Sequence, residues 1–299
     1  MNNSIICYME RIITDRHLSG RNIFDVIRRA RPAIRPSALY KAFGQRDIKV
    51  NGKRVGKDFR PQEGDVILVY VRDEESSTLP VPDVRMIYED DNILIVFKPS
   101  GMTVVPLSDQ INELSLTEYL GSEYGHIRLC HRLDRNTEGL VIAARNDLSF
   151  EEIKRLLNGN CIGKYYTALV HGKIVKESDL LEAYLFKDSR KCVARVSSEW
   201  KKGSRKICMI YSLLGYRGEN SLLEIRILTG RTHQIRAHLA FIGHPVIGDG
   251  KYGINRENRK LKAKNQLLCA SRLVFTIPED SFLHYLDGTD ICVTPSFIY

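Results

Sequence analysis

The chain has no apolar run approaching the roughly 20 residues of a membrane span. Its start lacks the basic segment, long apolar stretch and small-residue cleavage site of a signal peptide. A cytoplasmic protein is therefore expected. The seven cysteines (Cys7, Cys130, Cys161, Cys192, Cys208, Cys269 and Cys292) include no Cys-x-x-Cys pair. This argues against a zinc knuckle and for reduced thiols over a disulfide framework. A glycine fingerprint is missing as well, because Gly248-Asp249-Gly250 lacks the further glycine and strand-to-helix setting of a dinucleotide site. His233, His238 and His244 fit no two-histidine helix motif and have no acidic ligand within the run, so they read as structural histidines and not as a metal cluster. No metal, redox cofactor or nucleotide is expected.

What the chain does have is length for one substantial core plus a small appended domain, 299 residues with 43% hydrophobic content. It also carries a net charge of +9, which makes an anionic partner plausible. Residues 11–60 hold fourteen Arg or Lys against the four acids Asp15, Asp25, Asp47 and Asp58, so this stretch accounts for the whole excess. Ile23, Val26, Ile27 and Ala30 fall at helical spacing and leave Arg28, Arg29 and Arg31 mostly off the apolar stripe. A second short helix is expected from Ser37, with Leu39 and Phe43 four apart. Asn51-Gly52 between two short β-prone runs is a hairpin signal, and Gly64-Asp65 precedes a closing strand over Val66 to Tyr70. This order of elements resembles an S4 RNA-binding domain over residues 10–72. In it Arg28, Arg29, Arg31, Arg35 and Lys41 would meet RNA phosphates and add affinity without reading sequence. Acids, serines and prolines without periodicity mark 73–83 as a linker.

Beyond the linker, strand-like runs dominate: Ile93 to Phe97, Gly139 to Ala144, Tyr165 to Val170, Cys192 to Val196, Ile207 to Leu214 and Leu222 to Leu228. One helix is marked by Phe150, Ile153 and Leu157, with Asp147 near its start and Gly159 as its stop. Regular strand, helix, strand alternation is absent, so the body over 84–299 reads as α+β with a mainly antiparallel sheet. The basic run from Arg256 to Lys264 reads as a mobile loop.

The segment His131-Arg132-Leu133-Asp134-Arg135-Asn136-Thr137-Glu138-Gly139 places one carboxylate between two arginines and ahead of an apolar strand. Opposite charges nearby would hold it ionised, ready to act as nucleophile or base. This stretch resembles the signature of RluA-type pseudouridine synthases of ribosomal and transfer RNA, with their catalytic aspartate on Asp134. Three other segments resemble the same family in the same order. They are Ile87 to Gly101 with its Lys98-Pro99 loop, Lys164 to Gly172 with Lys-x-Tyr-x-Ala, and Thr229-Gly230-Arg231-Thr232-His233-Gln234-Ile235-Arg236 continuing to Asp249.

The resemblance implies an enzyme that breaks the N1 to C1′ bond of uridine, turns the uracil and joins C5 to C1′. Asp134 would attack the nucleoside or remove a sugar proton, and the residues leave both routes open. Arg231 would pair with Asp134 and orient it. Tyr166 would lie against the uracil, with Tyr165 on the opposite strand face. Arg132 would fill the space of a flipped base or bind phosphate. Ile227 and Leu228 would wall the uracil, and Lys98 would support the loop. Two positions depart from the family pattern: Glu138 replaces a small residue, and Phe97 stands where a polar residue often precedes Lys-Pro.

Asp134 with Glu138 could suggest a glycosidase pair, but a loop-to-strand transition guarantees no shared face at spacing four. A non-catalytic RNA-binding or ribosome-assembly factor is the other alternative, and it would predict a disabled site. The S4-like module favours 23S ribosomal RNA over transfer RNA as partner, and a monomer is the default.

Overall fold

A computed structural model describes residues 7–31, 34, 39, 42–72, 83–106, 115–188 and 193–298. The chain divides into two units, Met1–Asp83 with Met102–Ile127, and Val84–Gly101 with Arg128–Tyr299. The expected linker lies, save Asp83, outside the described residues, as do Arg35, Lys41 and most of the expected second helix, of which Leu39 and residues 42–44 are helical.

The first unit contains β1 (Cys7–Ile13), α1 (Ile23–Ala30), β2 (Ile48–Val50), β3 (Lys53–Arg54), β4 (Val66–Arg72) and α2 (Leu116–Tyr124). Its four strands form an antiparallel sheet in the order β1-β4-β2-β3. β1 is an addition to the sequence reading, pairing along its whole length with β4. Helix α1 starts where the Asn22 side chain accepts from the Phe24 amide. It buries Ile23, Val26 and Ile27 against Leu39, Ile48 and Ile67. The hairpin turn uses Asn51 at φ 48° and Gly52 at φ 79°, the doubly positive backbone of a tight two-residue loop.

The second unit is built on an eleven-stranded sheet. Its elements are β5 (Arg85–Glu89), β6 (Ile93–Lys98), β7 (Arg128–Leu129), β8 (Glu138–Ala144), α3 (Asp147–Asn158), β9 (Ile162–Val170), β10 (Ser178–Asp188), β11 (Val193–Ser197), β12 (Arg205–Arg217), β13 (Asn220–Ile227), α4 (Gln234–Phe241), α5 (Asn255–Lys260), β14 (Leu268–Phe275) and β15 (Asp290–Cys292). The strand order is β11-β10-β12-β13-β9-β14-β8-β6-β5, with β7 beside β8 and β15 beside β14. The only parallel pair among the described residues is β8 with β14. The architecture is thus the expected α+β with a mainly antiparallel sheet.

Strands β6 and β8 are buried at every position, as unbroken apolar runs covered on both faces should be. Ile93, Ile95, Leu140 and Ile142 pack with Ile153 and Leu156 of α3 and with Leu273 and Phe275 of β14. The close parallel approach depends on Gly139, at φ 119°, where a Cβ would lie 2.3 Å from the Ala270 carbonyl oxygen. Only glycine has both that backbone and that clearance.

The basic run expected to be a mobile loop is in part helix α5. Its Asn258 is buried: Oδ1 accepts from the Gly248 amide at 2.9 Å and sits 2.9 Å from His171 Nε2, while Nδ2 donates to the Asp249 carbonyl at 3.2 Å. One buried amide therefore ties the segment down, and the cations around it stay exposed. Among the described residues no helix is long and apolar enough to cross a membrane.

Candidate active site

Asp134 lies on the loop between β7 and β8, and the loop is held through its backbone. Lys98 Nζ donates to the carbonyls of Pro99 and Arg135 at 2.8 and 3.0 Å. Ser100 Oγ donates to Asn136 O at 2.9 Å, and Gly101 N–H to Arg135 O at 3.0 Å. Arg135 Nε returns a bond to Gly101 O at 3.0 Å. The Lys-Pro-Ser-Gly loop and the aspartate loop are therefore laced together immediately after Asp134. Lys98 is fully buried; desolvation drives its pKa down to about 7 against the pull of Asp134 and Glu138.

His131 supports the same loop by accepting the Ile142 amide at Nε2, 3.1 Å away. Burial first, and Lys164 second, push its pKa down to about 3. The imidazole is therefore neutral, as acceptance at Nε2 requires. Glu138, which departs from the family pattern, is buried and receives the Ser296 amide and hydroxyl at 2.8 and 2.7 Å. It faces a C-terminal segment and does not act as a second carboxylate beside Asp134.

The guanidinium on Asp134 belongs to Arg236, which corrects the expected pairing with Arg231. Arg236 Nη1 donates to Asp134 Oδ2 at 2.7 Å, and its Nε and Nη2 grip Asp249 at 2.6 and 2.9 Å. The reason is helical geometry. Arg236 is the third residue of α4 and is buried, whereas Arg231 sits on the preceding turn and is exposed. Gln234 organises that turn: its Oε1 accepts from the Arg231 amide at 3.1 Å and the Thr229 hydroxyl at 2.9 Å, and its Nε2 donates to Cys208 O at 3.2 Å.

Asp249 is completely buried. Burial alone would raise its pKa, but Arg236 and the amides of Lys251 and Tyr252 outweigh that and hold it below the usual carboxylate range. Burial likewise opposes the charge on Arg236, and the two carboxylates reverse the effect. The result is a triad of Asp134, Arg236 and Asp249, in which the guanidinium that holds Asp134 by Nη1 is itself anchored to Asp249 through Nε and Nη2. Among the described residues, Asp134 Oδ1 takes no hydrogen bond.

His233 caps α4 in the left-handed region at φ 57°. Its Nδ1 lies 2.9 Å from the Tyr252 hydroxyl, and its Nε2 lies 3.9 Å from Asp134 Oδ2. Desolvation lowers its pKa against the attraction of Asp134. The Tyr252 hydroxyl also accepts the Ala194 amide of β11 at 2.7 Å.

A pocket of about 310 Å³ opens on these groups, and its lining includes Asp134, Tyr166, Arg132, Lys164, Ile227 and Arg231. Tyr166 is 8% exposed; burial, then the Asp134 charge, raise its pKa, so it keeps its phenolic proton. Tyr165 is on the other face, under Arg226 and Arg272, whose guanidinium carbons lie 5.7 and 5.2 Å from the ring centre. Ile227 reaches the pocket, but Leu228 is not among its lining. Arg236, Asp249, His233 and Tyr252 were missed as site residues. The available signal was the helical register after Gln234, which turns Arg236 inward.

In the first unit, Arg29 is exposed. Arg28 pairs with Glu118 and is largely buried, and Arg31 pairs with Glu10 at 2.5 Å while capping the Ala30 and Arg11 carbonyls. Arg28 and Arg31 are thus each joined to an acid, Arg28 largely out of solvent and Arg31 with its side chain still 40% exposed.

A family model described as RNA pseudouridylate synthase matches residues 92–241, half of the chain and all of the pocket-forming segments except Leu268. The chain belongs to the RNA pseudouridylate synthase family. Among its curated relatives, the ribosomal large subunit pseudouridine synthase C of Vibrio cholerae is 28% identical, covering 94% of this chain and 91% of the relative. An RNA pseudouridine synthase of Bacillus subtilis, YlyB, is 31% identical over 77% of this chain and 78% of its own length. The solved structure of human RNA pseudouridylate synthase domain containing 1 superposes with a TM-score of 0.56 at 26% identity, covering 72% of this chain and 91% of the human one. As a pseudouridine synthase the chain is an isomerase acting on RNA.

Proposed function

We propose that this pseudouridine synthase isomerises specific uridines of large-subunit (23S) ribosomal RNA, with Asp134 as the catalytic carboxylate. The observation that carries the reading is the asymmetry of Asp134: Oδ2 is fixed by Arg236 at 2.7 Å, while Oδ1, in the pocket shared with Tyr166, takes no hydrogen bond among the described residues. One oxygen is positioned and the other is left for the nucleoside, whether it attacks or removes a sugar proton. Glycosidic cleavage, rotation of the uracil and C5 to C1′ bond formation import no group. Such a reaction calls for a shaped pocket and a positioned carboxylate.

Tyr166 closes the pocket as a neutral ring against the uracil. The target base must leave its stack to reach these residues, and Arg132, exposed on the pocket lining, fills the gap or holds phosphate. Arg231, also exposed there, serves as an RNA contact. The basic first unit, S4-like over residues 10–72, supplies sequence-independent affinity. Ribosomal RNA is favoured by that unit and by relatives named for the large subunit.

The test is pseudouridine mapping of ribosomal and transfer RNA from cells lacking the gene, complemented with wild type or Asp134→Ala. Particular 23S positions should lose pseudouridine and regain it only with wild type. Restoration by the alanine variant removes Asp134 from the chemistry, and loss confined to transfer RNA moves the target.

A further inference from the structure

The chain has a single tryptophan, and it is in water. Trp200 is 64% exposed at the tip of the 198–204 connection between β11 and β12. Burying an indole is among the larger apolar gains open to a fold, so a lone exposed tryptophan on a fixed support is available for a partner. The support is fixed. The Ser204 amide donates to Lys201 O at 2.8 Å, the Lys201 amide donates to Ser204 Oγ at 3.0 Å, and the Glu199 amide donates to Ser197 Oγ at 3.1 Å.

The surroundings are basic. Lys201, Lys202 and Arg205 are exposed beside Trp200, with Glu199 as the one acid of the tip. Lys206, one residue further, is paired with Glu182 at 2.7 Å. An aromatic plane among cations matches the pattern of single-stranded RNA binding, in which phosphates follow the charge and a base lies on the ring. A protein partner would find little apolar surface here beyond the indole itself.

The strand that leads to Trp200 also borders the active site. Ala194 of β11 donates to Tyr252, which contacts His233 beside Asp134, and Ala194 packs with Ala237 of α4. Trp200 is six residues beyond Ala194, with β11 ending at Ser197, so the tip is at most about 20 Å from Ala194, within the footprint of an RNA whose target uridine is in the pocket.

We propose that Trp200 is a stacking platform for an unpaired base of the RNA substrate outside the catalytic pocket, with Lys201, Lys202 and Arg205 on the adjoining phosphates. The assignment rests on the reading of the chain as an RNA-modifying enzyme and adds a second contact that selects unpaired RNA near the target.

The single tryptophan makes the test direct. The full-length protein is titrated with oligocytidylate, which lacks the base that the pocket acts on, and with a large-subunit ribosomal RNA transcript, while tryptophan emission is followed. Both should quench it, and an RNA duplex should not. With the transcript as substrate, Trp200→Ala should raise KM about tenfold, the scale of one base-aromatic stack, with the loss on KM and not on kcat. Trp200→Phe should restore most of it. Emission unchanged by saturating RNA, or a wild-type KM in Trp200→Ala, overturns the platform. Failure of the ribosomal RNA assignment reads differently: wild type forms no pseudouridine in the transcript, and oligocytidylate alone then decides, with quenching upholding the platform and its absence overturning it.

Discussion

Arg236 holds Asp134 by one oxygen, its Nη1 donating to Oδ2 at 2.7 Å, while the rest of the same guanidinium is committed to the buried carboxylate of Asp249. The orientation of Asp134 thus depends on a residue that is itself anchored by a second, fully buried carboxylate. A lysine could reach one of the two carboxylates but not both in the same geometry.

Arg236→Lys should therefore lower kcat by at least about 100-fold and reduce thermal stability, because breaking a buried pair costs on the order of 3–5 kcal/mol. Arg231→Lys, at an exposed position, should change turnover less than about tenfold, with the effect on KM. Single-turnover rates with a ribosomal RNA transcript rank the two variants, and the opposite ranking would restore Arg231 as the partner of Asp134.

Tyr166→Phe should reduce turnover well beyond Tyr165→Phe. The Tyr166 ring is in the pocket with Asp134, whereas Tyr165 lies under Arg226 and Arg272 on the other face. Equal losses in a side-by-side assay would mean that neither hydroxyl has a special place in the reaction.

Acid stability should carry the mark of His131. Its folded pKa is about 3 against an ordinary value of 6.5, so between those values the unfolded chain binds a proton that the folded one refuses. Stability then rises with pH across this window and is lost as pH falls through it, by up to about 1.4 kcal/mol per pH unit. His131→Gln, whose side-chain oxygen can accept the Ile142 amide, should flatten that slope by about one proton. Denaturant midpoints measured from pH 4 to 7 give the slope, and identical slopes in the two proteins would contradict a neutral buried His131.

Much of this arrangement was legible in the residues. The Asn51-Gly52 turn, the α1 stripe, the buried β6 and β8 runs and the Gly159 helix stop all follow from local pattern, because each is decided within a few residues. Asp134 and Tyr166 were legible from motif resemblance, and the two faces of β9 from strand alternation. What escaped was decided at long range. Arg236 meets Asp134 across 102 positions, and the choice between two arginines five apart depends on where α4 begins. The basic run at 256–264 looked unstructured because its anchor, Asn258, is one neutral residue among cations, and its partners at Gly248, Asp249 and His171 are distant or lack a pattern of their own. The pairings of Arg28 and Arg31 were hidden for the same reason.

Gly139→Ala should be among the most damaging single-methyl changes in the chain. The added carbon would lie 2.3 Å from the Ala270 carbonyl oxygen at a backbone φ of 119°, so both contact and conformation are strained. A loss of at least about 2–3 kcal/mol is expected, seen as a lower denaturant midpoint. A near-native midpoint would show that β8 and β14 can separate at little cost.

The Ser296 clasp on Glu138 also has a consequence for the order in which the protein is made. The loop bearing Asp134 leaves the ribosome before Arg236 exists, and the strand that covers Gly139, followed by the serine that seals Glu138, comes later still. Contacts of such sequence separation close only after the intervening chain is available. A chain translated only past Asp134 therefore carries that carboxylate without the guanidinium that holds it. The pocket around Asp134, which takes lining from Ile227, from residues 229–236 and from Leu268 of β14, is completed only once translation has passed these residues.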